Sequence, residues 1–164
     1  MATNSPTSDA SEYMLELLSR GVGLGAIFGY TETEYAAVYA LGHSHYSQER
    51  YLDAARLFGF LVMHSPMERR YMSALASALQ MLGHYRDAIQ YHSMASIMDI
   101  EDPLPTFHTA ECLMALEMRQ EAREALALVL AQCNKPQWQE LQRRSQMLLA
   151  RLDTMLPQAA AVTP

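Results

Sequence analysis

The chain has 164 residues, half of them hydrophobic and 18% charged, with a formal net charge of -6. A chain of this length can bury one core, and its negative charge disfavours nucleic-acid binding, because affinity for phosphates needs a cationic surface. No apolar run reaches the roughly 20 residues that cross a bilayer, and the N-terminus lacks the basic and apolar segments of a secretory signal. We therefore expect a cytoplasmic protein with no nucleic-acid partner and no stable membrane insertion.

The N-terminal region is predicted to be a helical arm at residues 10–34, after a disordered stretch at residues 1–9. Its first part is apolar on one helical face, and the glycine-rich stretch "RGVGLGAIFGY" follows. Glycines at this density interrupt a helix. An apolar arm outside a repeat array is typical of a segment that meets a partner chain. The residues predicted for this dimer arm are Leu17, Leu18, Leu24, Ile27 and Phe28.

Small residues recur about every 34 residues through the middle of the chain. Each of three units carries two of them at a fixed separation: Gly42 with Ala54, Ala76 with Ala88, and Ala110 with Ala122. Other columns keep the same step: Leu41 with Leu75, Tyr51 with Tyr85, and Leu61 with Ala95 and Val129. This period is typical of stacked helical hairpins, with small residues where the two helices of a hairpin cross.

The register resembles that of the tetratricopeptide repeat. The sequence therefore predicts an all-α helical-hairpin solenoid with three repeats, at residues 35–68, 69–102 and 103–136. The turns inside the hairpins are expected near "SQER", "GHYR" and "EMRQ".

The first helix of each repeat is predicted to line a concave groove, into which residues three or four apart on one face would point. Such a groove suits an extended peptide, because tyrosine offers both an apolar ring and a hydrogen-bonding hydroxyl. The alternative is that these tyrosines only pack between helices. The predicted groove residues are Tyr39, His43 and Tyr46 in the first repeat, Ser73, Ser77 and Met81 in the second, and Leu104, Phe107, His108, Glu111 and Met114 in the third.

Residues 137–156 are predicted to form a C-terminal capping helix, followed by a disordered tail at residues 157–164. A solenoid needs such a cap, because its last repeat would otherwise expose an apolar face to water. The expected apolar stripe of this helix comprises Trp138, Leu141, Met147, Leu148, Leu152 and Met155.

The segment "FHTAEC" places His108, Glu111 and Cys112 within about one helical turn, where they could share a metal ion or pair a base with a nucleophile. Zinc needs further ligands and a catalytic cysteine needs a lowered pKa, and nothing else in the sequence supplies either. Cys112 and Cys133 lie apart, and we interpret both as reduced thiols. We therefore predict no enzymatic activity, no metal and no cofactor.

The segment "IMDIEDPLPTFHTAECL", residues 97–113, resembles the class II chaperones of bacterial type III secretion systems, as do "ARLFGFLVMHSP" and the C-terminal helix. The resemblance implies a non-enzymatic tetratricopeptide protein of the bacterial cytoplasm. Such a chaperone keeps the hydrophobic, pore-forming translocators soluble before secretion and holds an extended P-x-L-x-x-P segment in its groove. A homodimer formed through the N-terminal region is also implied. The chain departs from the family at His92 and Met94, where members tend to carry tyrosines.

A second hypothesis keeps the fold and changes the partner. In it, the chain is a tetratricopeptide adaptor for a helical client, such as a needle subunit or a regulatory protein. A helical ligand in the groove, in place of an extended one, would distinguish the two hypotheses.

Overall fold

The computed structural model describes residues 29–155, so the predicted dimer arm (Leu17, Leu18, Leu24, Ile27 and Phe28) lies outside the described residues. The described part is helical and contains no β-strand. This confirms the predicted all-α class. Its helices are α1 (Glu32–Ser47), α2 (Tyr51–His64), α3 (Arg69–Met81), α4 (Tyr85–Met98), α5 (Leu104–Ala115), α6 (Arg119–Gln132) and α7 (Gln139–Met155), with a 3-10 turn at Pro136–Trp138 before α7.

The chain divides into two compact units, residues 1–78 and 79–164, with the division inside α3. In the first unit, α1 packs against α2. In the second unit, α4 packs against α5, α5 against α6, and α6 against α7. Because the turns within hairpins are short, helices joined by them run antiparallel.

Helix α1 begins slightly before the predicted first repeat, and the reason is a capping box at Thr31 and Glu34. The Thr31 hydroxyl accepts the Glu34 N–H at 3.3 Å, and the Glu34 carboxylate accepts the Thr31 N–H at 2.7 Å. These bonds satisfy two of the N–H groups that a helix start leaves without partners. The main-chain N–H and the hydroxyl of Thr31 both donate to the Glu34 carboxylate, and these two bonds lower the pKa of Glu34.

The turns that close α1, α3 and α5 share one geometry and recur at the interval of the repeat. Each contains a residue with positive φ: Glu49 at 61°, Gly83 at 77° and Glu117 at 59°. In each turn, the N–H of the following residue bonds back to the last turn of the helix: Arg50 to the His45 carbonyl, His84 to that of Leu79, and Met118 to that of Leu113, each at 2.9 Å. This is the Schellman arrangement, in which the left-handed residue is usually glycine. The sequence shows a glycine at only one of the three positions.

The columns of small residues are buried. Ala54, Ala76, Ala88, Ala110 and Ala122 are fully inaccessible to solvent. At Gly42 the approach is closest, since a Cβ added there would lie 2.5 Å from a ring carbon of Phe58. The expectation that only small side chains fit where α1 crosses α2 is confirmed at this position.

The core of the second unit is formed by α5, α6 and α7. It contains Phe107, Ala110, Leu113, Ala122, Leu126, Val129, Cys133, Leu141 and Leu152. The apolar stripe of α7 differs from the predicted one at Met147, which is 64% exposed. Ser145 is fully buried in its place, and its hydroxyl donates to the Leu141 carbonyl at 2.8 Å.

Candidate functional site

The first unit carries four aromatic rings in mutual contact, which we call the aromatic cluster: Tyr39, His43, Phe58 and Tyr71. The ring centre of Tyr39 lies 4.5 Å from that of His43, 5.8 Å from Phe58 and 5.4 Å from Tyr71. Phe58 and Tyr71 are buried, Tyr39 is half-buried and His43 is exposed. The cluster therefore has a buried apolar floor and an accessible aromatic edge.

A cation lies beside this cluster. The guanidinium carbon of Arg70 is 4.9 Å from the ring centre of Tyr71 and 5.6 Å from that of Tyr39. Its Nη2 donates to the Tyr71 hydroxyl at 3.2 Å, and its Nε lies 3.6 Å from the Glu68 carboxylate. Burial raises the pKa of Tyr39, and the charge of Arg70 partly opposes that effect. Tyr39 is therefore a neutral donor at physiological pH.

Tyr46 belongs to a separate pair at the end of the first hairpin. Its ring centre is 5.2 Å from that of Tyr51. Burial raises the pKa of Tyr46 as well. Of the three groove residues predicted in the first repeat, Tyr39 and His43 therefore lie together, and Tyr46 packs with the column tyrosine of α2.

The second unit carries a hydrogen-bonded group that we call the polar cluster: Gln80, His92, His108, Glu111 and Arg144. The Glu111 Oε2 accepts from the Gln80 side-chain nitrogen at 3.2 Å and from the His108 Nδ1 at 3.0 Å. The Glu111 Oε1 lies 3.5 Å from the Arg144 guanidinium. Because the amide nitrogen of Gln80 donates to Glu111, its oxygen faces the His92 Nε2, at 3.2 Å.

His92 is the buried end of the polar cluster, with 1% of its surface exposed. Its ring stacks on that of His108, with the centres 5.2 Å apart. Since Nε2 donates to Gln80, the other nitrogen, Nδ1, is an acceptor, and it has no hydrogen-bond partner among the described residues. Burial, reinforced by the neighbouring His108, lowers the pKa of His92 to about 3. The imidazole is therefore neutral at physiological pH.

Glu111 is the charged centre of the polar cluster. Burial would raise its pKa, but hydrogen bonds from His108 and Gln80, with the charges of His108 and Arg144, outweigh burial and hold the pKa below its ordinary value. The carboxylate is thus ionised and half-buried. Its Oε2 is engaged twice, whereas Oε1 lies 3.5 Å from the exposed guanidinium of Arg144.

The neighbouring Cys112 does not provide a nucleophile. Its side chain is fully buried, and burial raises the pKa of its thiol to about 11, with a further contribution from the Glu111 charge. A reactive cysteine needs the opposite shift. Within residues 29–154, no three His, Cys, Asp or Glu side chains are grouped so that they could hold a metal ion.

The other predicted groove residues have mixed positions. Ser73 and Ser77 are half-buried, and the Ser77 hydroxyl donates to the Ser73 carbonyl at 2.9 Å, within their own helix. Met81 and Leu104 are exposed, and Met114 packs at the edge of the second-unit core.

Phe107 is placed wrongly by the groove prediction. It is 1% exposed and belongs to the core of the second unit. Its ring packs in the core that α5, α6 and α7 share, and the guanidinium of Arg144 on α7 lies 5.0 Å from the centre of that ring. In the third repeat, this position is covered by the chain itself.

Sequence reasoning missed Gln80, Arg144, Arg70 and Tyr71. The signal for Gln80 was present, because it occupies the same repeat position as Tyr46 in the first unit and Met114 in the third. The predicted residue Met81 directly follows that column position. The other three had no comparable signal, because they depend on contacts between helices.

Comparison with known proteins agrees with this architecture. A tetratricopeptide-repeat family model matches residues 71–102. Low calcium response locus protein H of Yersinia pseudotuberculosis is 33% identical over 149 residues, which are 87% of this chain and 88% of the relative.

Two solved structures share the fold. A type III secretion complex from Aeromonas hydrophila matches with a TM-score of 0.82 at 26% identity, covering 88% of this chain and 97% of the other. The Yersinia enterocolitica chaperone SycD, solved with a peptide of the translocator YopD, matches with a TM-score of 0.72 at 29% identity, covering 76% and 96%.

Among the helices of residues 29–155, none combines the length and the hydropathy that a membrane span requires. Fold, repeat register and similarity over 87% of the chain lead to one assignment: this chain belongs to the Low calcium response locus protein H family, the tetratricopeptide-repeat chaperones of type III secretion translocators.

Proposed function

We propose that this chain is a non-enzymatic chaperone of the bacterial cytoplasm that binds hydrophobic type III translocators before secretion and keeps them soluble. The observation that carries the proposal is its likeness, over 76% of its length, to SycD holding a peptide of a translocator. The buried, protonated thiol of Cys112 supports the non-enzymatic part.

The aromatic cluster is the proposed site for an extended, proline-containing client segment. Proline and leucine side chains can pack against the accessible edges of Tyr39 and His43, above the buried rings of Phe58 and Tyr71. The Tyr39 hydroxyl and the exposed Arg70 can donate to main-chain carbonyls that such a segment leaves unpaired. An extended peptide loses conformational entropy on binding, so we expect micromolar affinity, about -8 kcal/mol.

A homodimer is part of the proposal. The predicted dimer arm would supply the contact, and SycD itself is known in more than one dimeric form. Sedimentation of the full chain and of a form lacking residues 1–28 tests this, since that truncation leaves the cap of α1 at Thr31 intact. An oligomeric state that the truncation leaves unchanged would contradict a dimer held by the arm.

Co-expression tests the function. A hydrophobic type III translocator should be insoluble alone, and should be soluble and co-purify with this chain when the two are co-expressed. Tyr39→Ala should weaken the complex, whereas Leu52→Ala, a change at an exposed leucine outside the aromatic cluster, should not. A translocator that stays insoluble with the wild-type chain would contradict the proposal. A complex formed only with a helical needle subunit would support the adaptor hypothesis instead.

A further inference from the structure

The buried imidazole of His92 in the polar cluster destabilises the fold, and packing alone does not explain why it is there. The equivalent positions to His92 in the first and third repeats are Phe58 and Leu126, which are both fully buried and apolar. An imidazole in that column leaves its Nδ1 buried without a partner among the described residues, which costs about 1–3 kcal/mol. Buried polar networks fix the orientation of their members when most of their bonds are made.

The bonds of this network converge on Glu111. His92 holds the oxygen of Gln80, which fixes the Gln80 nitrogen on the Glu111 Oε2, and His108 donates to the same oxygen. The carboxylate is thereby oriented with Oε1 toward the exposed Arg144, at 3.5 Å. That separation is a charge contact rather than a short hydrogen bond, so both groups retain capacity for another partner.

The pair offers an acceptor and a donor side by side with balanced charge. A charged ligand group would be attracted by one member and repelled by the other, so the pair suits a neutral group that both donates and accepts. Each residue of an extended chain presents its N–H and C=O on the same side.

We infer that Glu111 and Arg144 clamp the main-chain N–H and C=O of one residue of an extended client, with Gln80 and His92 as positioning residues. The inference rests on the proposed function and adds the chemistry that the second unit recognises. Because Glu111 and Arg144 hydrogen-bond to the main chain of the client and not to its side chains, the clamp accepts clients of different sequence.

The test replaces client amides one at a time with esters, which removes a single N–H and leaves the side chains unchanged. The probe is a synthetic peptide that carries a P-x-L-x-x-P segment, titrated by calorimetry. One ester should weaken binding to the wild type about tenfold, the loss expected for a hydrogen bond to a charged acceptor. With Glu111→Met, the same ester should cost less than about twofold.

Two further variants keep the test decisive if Glu111→Met folds poorly. Arg144→Ala should weaken binding of the unmodified peptide about tenfold, and Arg143→Ala, a charge removal at the exposed neighbour on α7, should have little effect. His92→Leu should reduce the loss of affinity that the ester causes, without lowering the thermal stability of the protein at neutral pH. A residue with only a structural role would leave that penalty unchanged.

The outcomes separate the inference from the function on which it rests. If the unmodified peptide binds but no ester penalty depends on Glu111, the clamp is wrong and the chaperone function stands. If replacing a client Asn or Gln side chain has the effect instead, the clamp does not read main chain. If the unmodified peptide does not bind, the function and the clamp both fail.

Discussion

Replacing His92 with leucine should change how the stability of the protein depends on pH. The native imidazole has a pKa of about 3 because it is buried, whereas its ordinary value is 6.5. Between these values, the unfolded chain binds a proton that the native chain does not. Stability of the wild type is therefore lost as pH falls below about 6.5, and the loss continues until the pH approaches 3.

The magnitude follows from the distance to the unfolded pKa. A pH of about 5 lies roughly 1.5 units below the ordinary value, and each unit is worth about 1.36 kcal/mol, so His92 alone should cost about 2 kcal/mol there. At a pH of about 7.5 the same contribution is close to zero. Leucine has no proton to bind, and the third repeat already buries Leu126 at the equivalent position. The variant should therefore lose about 2 kcal/mol less than the wild type on acidification.

Urea unfolding followed by circular dichroism at both pH values measures this difference. Low protein concentration is advisable, because the isoelectric point is about 5.4. His84→Leu, a change at an exposed histidine, shows how much removing a surface histidine alters the loss of stability between the two pH values. If the wild type and His92→Leu lose the same stability between the two pH values, His92 is not held neutral by burial, and the geometry deduced for the polar cluster is wrong.

Other predictions test the packing, the turns and the thiol. Gly42→Ala should destabilise the fold by about 1–3 kcal/mol, because the added Cβ would overlap the Phe58 ring on α2. Gly59→Ala is the control: a Cβ there meets nothing within 4 Å, so the change should stabilise the helix by about 0.5–1 kcal/mol. Chemical denaturation measures both changes, and equal effects would contradict the close helix crossing at position 42. Glu117→Gly should raise the free energy of unfolding by about 1 kcal/mol, because glycine adopts the positive φ at this position without steric strain. Gly83→Ala should lower it by about as much, because alanine would be strained at the positive φ of Gly83. Melting temperatures that move the other way would refute the left-handed geometry of these turns. Cys112 should react with a thiol reagent at pH 8 far more slowly than in the urea-unfolded chain, since its pKa is raised to about 11; equal rates would show that it is not buried.

The repeat register was predictable because it depends on steric rules that act locally. Small side chains are needed wherever two helices cross closely, so Gly42 and its equivalents appear in the sequence at a constant spacing. The turn geometry was only partly predictable. Glu49 and Glu117 adopt the same left-handed conformation as Gly83, but glutamate carries no sequence signal for it.

The polar cluster could not have been assembled from the sequence. His108 and Glu111 lie one helical turn apart and were predicted together, but their partners Gln80 and Arg144 lie on other helices, far from Glu111 along the chain. The same long-range packing explains the wrong position of Phe107. A repeat-based prediction treats all three first helices alike, whereas Phe107 of the third one packs into a core that includes side chains of α6 and α7.

The most direct test of the proposed function is a calorimetric titration of the purified full chain with a translocator peptide that carries a P-x-L-x-x-P segment. A second titration uses the same peptide with its Pro and Leu residues replaced by Ala. We predict saturable, micromolar binding of the first peptide, a large loss for the second, and a comparable loss when Tyr39→Ala replaces the wild-type chain. Absence of binding at millimolar concentrations of the unmodified peptide would contradict the account.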